Sequence, residues 1–212
     1  LQVQVTLAGF LNGESIWSKS QKQAGIDLDQ YAISGDKANL AAFRANYALL
    51  ASDRSARDAI ASGDFDNQKV IQAFVRGDVI PRAIPGMIFI LDHIPSAPYI
   101  RQALEAWRST DASIDELGEI ANELERAHAD GELSTVQLAR QRGRILALNT
   151  YIEPRTKVFS LEIALGASWI GQILFISVLA AAILAVLLWL RMATRVRASV
   201  RGSEERYRLL FD

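Results

Sequence analysis

The sequence predicts an all-α protein: an antiparallel helical bundle that continues into a transmembrane helix. Stretches bounded by helix caps and stops fill most of residues 12–162, and apolar residues recur at spacings of three and four along residues 100–128, the pattern of a helix that buries one face. Most of the charge lies in this part of the chain, whereas residues 170–190 carry none. No convincing strand pattern or internal repeat interrupts the helical signal. These observations predict a helical domain at 1–168 and a membrane span at 169–190.

The composition excludes several functional classes. A formal net charge of −1 provides no overall field for a polyanion, so we expect no nucleic-acid partner. The absence of cysteine excludes disulfides, thiol catalysis and cysteine-ligated metals. Only two histidines occur, neither in a metal-binding spacing, and no phosphate-cradling glycine-rich loop is present. We therefore expect no metal, no cofactor and no enzymatic activity in this chain.

The first helix is predicted over residues 12–34. Gly35 supplies a stop, and Asp36 is a plausible N-cap for the helix that follows. The alternation in "LQVQV" at residues 1–5 would suit a short strand, but no second strand lies nearby. We favour the end of a helix there, with a first transmembrane helix expected at or just upstream of the start.

Three further helices are predicted before the membrane. The second is rich in Ala, Leu and Arg and ends at Ser62-Gly63, and Asp66 caps a short third one. Four prolines at positions 81–98 predict only short, interrupted helix. A long helix is then expected to start at Ser96, and apolar residues at spacings of three and four predict that it runs unbroken to His128.

The last helix is predicted to begin at a capping box of Ser134 and Gln137 and to run into the membrane, with a kink at Pro154. Its uncharged part, Ile170–Leu190, has 21 residues and would span roughly 31 Å as a helix, which matches a bilayer core. Trp169 and Trp189 bracket it as interfacial aromatics do. Four arginines follow and predict a cytoplasmic C-terminal side: Arg191, Arg195, Arg197 and Arg201.

Candidate site residues are few. The "DFD" at 64–66 is too short for a calcium loop, and His93 and His128 are expected to be capping or packing residues. An arginine beside aromatic residues can hold a carboxylate or a phosphate. Residues of this kind are predicted to line a ligand pocket, the alternative being solvated arginines and core aromatics: Arg44, Tyr47, Tyr99, Arg101 and Trp107.

Beyond the membrane, a short heptad seam predicts a parallel homodimer that passes a signal inward. Its members are Ala193, Val196, Val200, Ser203, Tyr207 and Leu210. Gly202 lies inside this helix and weakens it by about 1 kcal/mol relative to alanine. The alternative is an arginine-rich helix lying on anionic lipid.

Three stretches resemble parts of bacterial signalling proteins. "SEERYRLLFD" at 203–212 closely resembles the N-terminal helix that opens PAS domains. "YAISGDKANLAAFRANYALL" at 31–50 is similar to the Tyr-x-x-Ser/Thr-Gly-Asp segment of extracytoplasmic helical sensors, including CHASE-type domains. "VFSLEIALGASWIG" at 158–171 is similar to juxtamembrane segments of PAS-containing diguanylate cyclases and cyclic-di-GMP phosphodiesterases, although Trp169 stands where arginine is usual there.

These resemblances imply the sensory input half of a bacterial inner-membrane protein. A periplasmic domain at 1–168 would detect a small molecule or protein, and 191–212 would be a cytoplasmic coiled-coil linker and the start of a PAS domain. The implied output is cyclic-di-GMP synthesis or hydrolysis. The alternatives are a histidine kinase output, or a bundle that only anchors and dimerises the protein.

Overall fold

The computed structural model describes the backbone of residues 2–131 and 133–208 and the side chains of residues 4–131 and 133–194. Within these ranges the chain forms seven α-helices and no strand, which confirms the all-α prediction. The helices are α1 Gln2–Ser34, α2 Lys37–Ala61, α3 Asn67–Arg76, α4 Ile84–His93, α5 Ile100–Arg108, α6 Asp111–Asp130 and α7 Thr135–Arg208. The alternating residues at the start are helical, as favoured above.

The chain divides into two compact units, Leu1–Ala167 and Ser168–Asp212. In the first unit α1 packs against α2, α4 and α6, and α2 also packs against α3. Its core is apolar, and its largest fully buried side chains include Leu28, Phe43, Phe74, Ile84, Leu117, Ile120, Leu124, Ile145 and Ile152. The second unit consists of the C-terminal part of α7.

The turn between α1 and α2 confirms the predicted stop and cap. Gly35 has a φ of +66°, a left-handed conformation that glycine adopts without strain, and its N–H donates to the Tyr31 carbonyl. The Asp36 carboxylate accepts a hydrogen bond of 2.8 Å from the Ala38 N–H, as an N-cap does. Because only two residues connect the helices, α1 and α2 run antiparallel.

The predicted cap of α3 and the broken proline region are also confirmed. Asp66 accepts a hydrogen bond of 2.8 Å from the Gln68 N–H. Pro81 opens a single 3-10 turn, Pro81–Ala83, and Pro85 lies in the first turn of α4, where its missing N–H costs nothing. The result is a ten-residue α4 between two other short helical pieces.

The prediction of one unbroken helix from Ser96 to His128 is wrong. The helix starts at Ile100, after Tyr99 in a left-handed conformation, and it breaks between α5 and α6. At the break the Ser109 hydroxyl donates to the Ala106 carbonyl and the buried Thr110 hydroxyl donates to the Trp107 carbonyl, both at 2.7 Å. Such side-chain bonds compete with the helical ladder. The apolar spacing continues across the break, which is why periodicity alone missed it.

The start of α7 confirms the predicted capping box. The Ser134 N–H donates to the Gln137 side chain at 2.9 Å, and the Gln137 N–H donates back to the Ser134 hydroxyl at 3.2 Å. Pro154 lies inside this helix, which is continuous from Thr135 to Arg208. A kink at Pro154 remains a prediction. Among the described residues, α7 is the helix that is long and apolar enough to cross a membrane, with a mean hydropathy of 2.9 over its most apolar part.

Candidate functional site

A cavity of about 40 Å³ lies inside the first unit, where its helices converge. Helices α1 to α5 and α7 contribute residues to its walls. The residues that line it are predominantly apolar: Phe10, Gly13, Glu14, Trp17, Asp53, Phe74, Val79, Met87, Leu91, Ile100, Ala103, Leu104, Trp107, Phe159 and Ile163. Among the described residues, Glu14 and Asp53 are the only titratable side chains in this lining.

Three aromatic rings from three helices form one wall of the cavity. Trp17 of α1 meets Trp107 of α5 edge-on, with ring centres 6.5 Å apart, and meets Phe159 of α7 edge-on at 5.9 Å. Trp107 and Phe159 stack at 5.5 Å. Edge-on and offset-stacked pairs are the favoured geometries for aromatic rings. The wall therefore fixes the position of α7 against α1 and α5 at the cavity.

Asp53 of α2 is the polar group of the cavity that lacks a partner. Its side chain is buried, with 4% of the residue exposed, and Oδ1 has no hydrogen-bond partner. No basic group of the described residues forms an ion pair with this carboxylate. Burial away from water raises the pKa of Asp53 to about 8. The carboxyl is therefore mostly protonated and neutral at pH 7 while the cavity holds no counter-charge.

Glu14, the second acid of the cavity, is held by hydroxyl groups. Its Oε1 atom accepts hydrogen bonds from Ser18 on its own helix, at 2.6 Å, and from Ser160 on α7. This contact joins α1 to α7 next to the aromatic wall. Unlike Asp53, Glu14 thus has hydrogen-bond partners on two helices.

Arg57 lies behind the aromatic wall and not in the cavity lining. The side chain is buried, and its guanidinium lies 4.8 Å from the centre of the Trp107 ring. It donates to both carboxylate oxygens of Asp111, at 3.2 and 2.6 Å, and to Asp58. Although Arg57 follows Asp53 by one helical turn, its donors are engaged by these two other carboxylates.

Of the five predicted pocket residues, the structure places Trp107 in the cavity and the other four outside its lining. Arg44 pairs with Glu125 on α6, and the Tyr47 ring packs against Phe43. Tyr99 precedes α5, where its N–H donates to the Gln102 side chain, and Arg101 is exposed. Binding of a carboxylate or phosphate by these arginines remains a prediction.

The sequence interpretation missed Asp53, although the sequence carries a signal for it. Along α2 the buried positions include Leu40, Phe43, Leu50 and Ile60, and Asp53 falls on the same face three residues after Leu50. A single carboxylate inside an apolar stripe has to be paired or neutral once it is buried. That test applied to α2 would have selected Asp53 and Arg57.

The histidines and the predicted seam lie outside this cavity. His93 stacks on Phe89 with ring centres 4.5 Å apart, and the His128 ring lies 5.1 Å from that of Tyr31. No group of three or more acidic or histidine side chains in the described part of the chain could hold a metal ion. Of the seam, only the Ala193 side chain is described. The others lie outside the described residues: Val196, Val200, Ser203, Tyr207 and Leu210.

Replacing Gly77 with alanine is expected to disturb Asp53. An added Cβ at Gly77 would lie 1.9 Å from Oδ1 and 2.6 Å from Cγ of Asp53, closer than any real contact. The φ of Gly77 is −76°, which alanine accepts, so the effect is steric. Forcing an extra methyl group into a packed site costs about 1–3 kcal/mol. Chemical denaturation of the purified chain in detergent measures this loss.

Gly13→Ala is the matched control, because Gly13 lines the same cavity. Its added Cβ would meet Val79 at 3.4 Å, an ordinary van der Waals contact. Because Gly13 lies in the interior of α1, this variant should keep the parent's free energy of unfolding or gain up to about 1 kcal/mol, since alanine favours a helix over glycine by that amount. Equal losses in both variants would contradict the close approach of Gly77 to Asp53.

Comparison with known proteins finds no matching family model, no matching curated protein and no matching solved structure. Function is therefore inferred from the cavity and from the sequence of α7. The cavity combines an unpartnered acid, aromatic walls and a helix that also contains the apolar span. An arrangement of this kind has space and one unpartnered polar atom for a small molecule.

Proposed function

We propose that the first unit is an extracytoplasmic sensory domain and that α7 transmits its state across a bacterial inner membrane. The observation that carries the proposal is that a single helix, α7, both lines the cavity and contains the apolar segment. Phe159 and Ile163 of α7 line the cavity, and the same continuous helix contains the apolar segment 170–190. A ligand that repacks the cavity thereby acts directly on the helix that enters the membrane.

The topology of the proposal follows from charge. The arginines from Arg191 to Arg201 keep the C-terminal side of the span in the cytoplasm, and the domain then faces the periplasm. The chain acts as a homodimer whose cytoplasmic seam passes the change to a PAS-linked output. That output is cyclic-di-GMP synthesis or hydrolysis, with a histidine kinase as the alternative. The chain itself has no catalytic role in this proposal.

Transmission requires two packing states of similar free energy. Moving an equilibrium from 1:99 to 99:1 needs a difference in ligand affinity of about 10⁴-fold between the states, or about 5.5 kcal/mol. A buried carboxyl without a partner is a source of such a difference, because its cost disappears only when a complementary group binds beside it. The stacked Phe159 and Trp107 rings then report the change to α7.

A chimaera tests the proposal. Residues 1–212 replace the periplasmic domain and the second transmembrane helix of a membrane-bound, PAS-containing diguanylate cyclase, so that the host's first transmembrane helix still exports the domain, and cellular cyclic-di-GMP is measured. Phe159→Ala removes an α7 ring from the cavity wall and should change the basal output several-fold, since each 1.4 kcal/mol between the two states is a factor of about ten in their ratio. The direction depends on which state the ring stabilises.

Leu146→Ala is the control for this chimaera. Leu146 also lies on α7, but it is exposed and lies outside the cavity lining. It should leave the output unchanged. If both variants insert into the membrane at parent levels and both leave cyclic-di-GMP unchanged, the domain only anchors and dimerises the protein, and the sensory proposal is wrong.

A further inference from the structure

We propose that the cavity binds a small alkylammonium cation, with the ammonium group on the Asp53 carboxylate and the alkyl groups against the aromatic rings. This inference rests on the proposed function, because it names the chemical class of the ligand that the sensory domain detects. Three properties of the cavity carry it: the charge of its lining, the nature of its walls and its size.

The charge of the lining selects a cation. The two titratable side chains that line the cavity, Asp53 and Glu14, are both acids, and the described part of the chain places no lysine, arginine or histidine in the lining. Asp53 has no counter-charge and its Oδ1 has no hydrogen-bond donor. A buried ionised carboxylate is stable only when it is paired. An ammonium group supplies both the missing charge and the missing N–H donors.

The walls favour an organic cation over a metal ion. Five aromatic side chains line the cavity: Phe10, Trp17, Phe74, Trp107 and Phe159. The negative faces of such rings attract ammonium groups and stabilise them further when water is excluded. A divalent metal ion needs several oxygen ligands, and the described residues contain no cluster that could provide them. Alkyl groups on the cation would bury their surface against the same rings.

The size restricts the cation to a few heavy atoms. A cavity of about 40 Å³ holds roughly three or four water-sized groups, since one water needs about 10–15 Å³ on this measure. Isopropylammonium and its smaller relatives match this space. An arginine-like or polyamine ligand would have to extend beyond it.

Cation binding is coupled to loss of a proton. Glu14 of α1 and Asp53 of α2 are the titratable groups in the lining; α3, α4, α5 and α7 add none, and Arg57 is held by Asp111 and Asp58. Burial keeps Asp53 protonated at pH 7, with a pKa of about 8. The carboxyl has to ionise to pair with an ammonium group, so its proton leaves to the solvent as the cation binds. Affinity therefore rises with pH until the pKa of free Asp53 is passed.

The test is calorimetric titration of the full chain in lipid nanodiscs with isopropylammonium chloride. Isopropanol, its neutral isostere, is the matched ligand, and Asp53→Asn and Asp64→Asn are the matched variants, since Asp64 is exposed. We expect isopropylammonium to bind the parent chain about tenfold or more tightly than isopropanol. Asp53→Asn should lose this preference and Asp64→Asn should keep it. Repeating the titration in buffers of different ionisation enthalpy at pH 7 should show release of close to one proton.

Three results would overturn the inference: equal affinities for the amine and the alcohol, an unchanged preference in Asp53→Asn, or binding without proton release. The last measurement uses the unmodified chain, so it decides the matter even if Asp53→Asn does not fold. Failure here is distinguishable from failure of the proposed function. If Phe159→Ala still alters output in the chimaera, the sensory function stands and only the assignment of an alkylammonium ligand held by Asp53 is wrong.

Discussion

Raising the pH from about 5 to about 8 is expected to lower the free energy of unfolding of the chain by several kcal/mol through Asp53 alone. Burial raises the pKa of this carboxyl from 3.8 to about 8 in the folded protein. Between these values the unfolded chain has lost the proton and the folded chain still holds it, so the unfolded state gains stability with each pH unit. The full difference is on the order of 5 kcal/mol, and the loss ends above pH 8.

Asp53→Asn removes the titrating group while nearly keeping its shape. Denaturation curves of the two proteins should nearly coincide below about pH 4, where Asp53 is protonated in the folded and the unfolded chain alike. They should differ by more than about 1 kcal/mol at pH 5 and diverge further towards pH 8, with the variant more stable. Asp64→Asn, at an exposed carboxylate, should follow the parent at every pH. If the free energy of unfolding of Asp53→Asn still falls with pH as steeply as that of the parent, the pKa of Asp53 is not raised in the folded protein.

The same experiment connects stability to ligand binding. A cation that binds the ionised carboxylate stabilises the folded state only, so adding isopropylammonium at pH 8 should restore stability to the parent chain. It should have little effect at pH 5, where the proton already occupies the carboxyl. In this proposal the proton and the amine compete for one carboxyl group, so the stabilising effect of the amine should grow as the pH rises.

Local signals in the sequence predicted the helix ends well, because each depends on neighbouring residues. Asp36, Asp66 and the Ser134–Gln137 box all make the hydrogen bonds that their positions predict. These bonds span only two or three residues, so no knowledge of the tertiary fold is required. The prolines likewise act through their own rings on the adjacent backbone.

The cavity could not be predicted in this way, because its residues come together only through packing. Asp53 and Phe159 are more than a hundred positions apart in sequence, and each has an ordinary local environment on its own helix. The break between α5 and α6 was missed for a related reason. Thr110 is buried and bonds to the Trp107 carbonyl, whereas the apolar spacing around it is that of a single helix. The sequence predicts Trp107 as a pocket residue because arginines lie near it, whereas in the structure it shares the cavity with Asp53 of α2.

Asp111→Ala is expected to be among the most destabilising single substitutions outside the apolar core. Arg57 is 2% exposed and donates to both oxygens of Asp111, which joins α2 to α6 behind the Trp107 ring. Removing the carboxylate leaves a buried guanidinium with only the more exposed Asp58 as partner. Breaking a buried pair in this way costs about 3–5 kcal/mol, because the remaining charge keeps its desolvation penalty. Chemical denaturation at pH 7 measures the loss.

Asp115→Ala is the matched control, one helical turn further along α6. Its carboxylate pairs with Arg54 at 2.7 Å, but both side chains are partly exposed, and such pairs contribute less than about 1 kcal/mol. The double variant Arg57→Met with Asp111→Leu should recover much of the stability lost in Asp111→Ala, because it removes the orphaned charge together with its partner. If the double variant is as unstable as the single one, the cost comes from lost packing on Trp107 and not from the buried charge. Asp111 would then matter to the cavity through the shape of its wall.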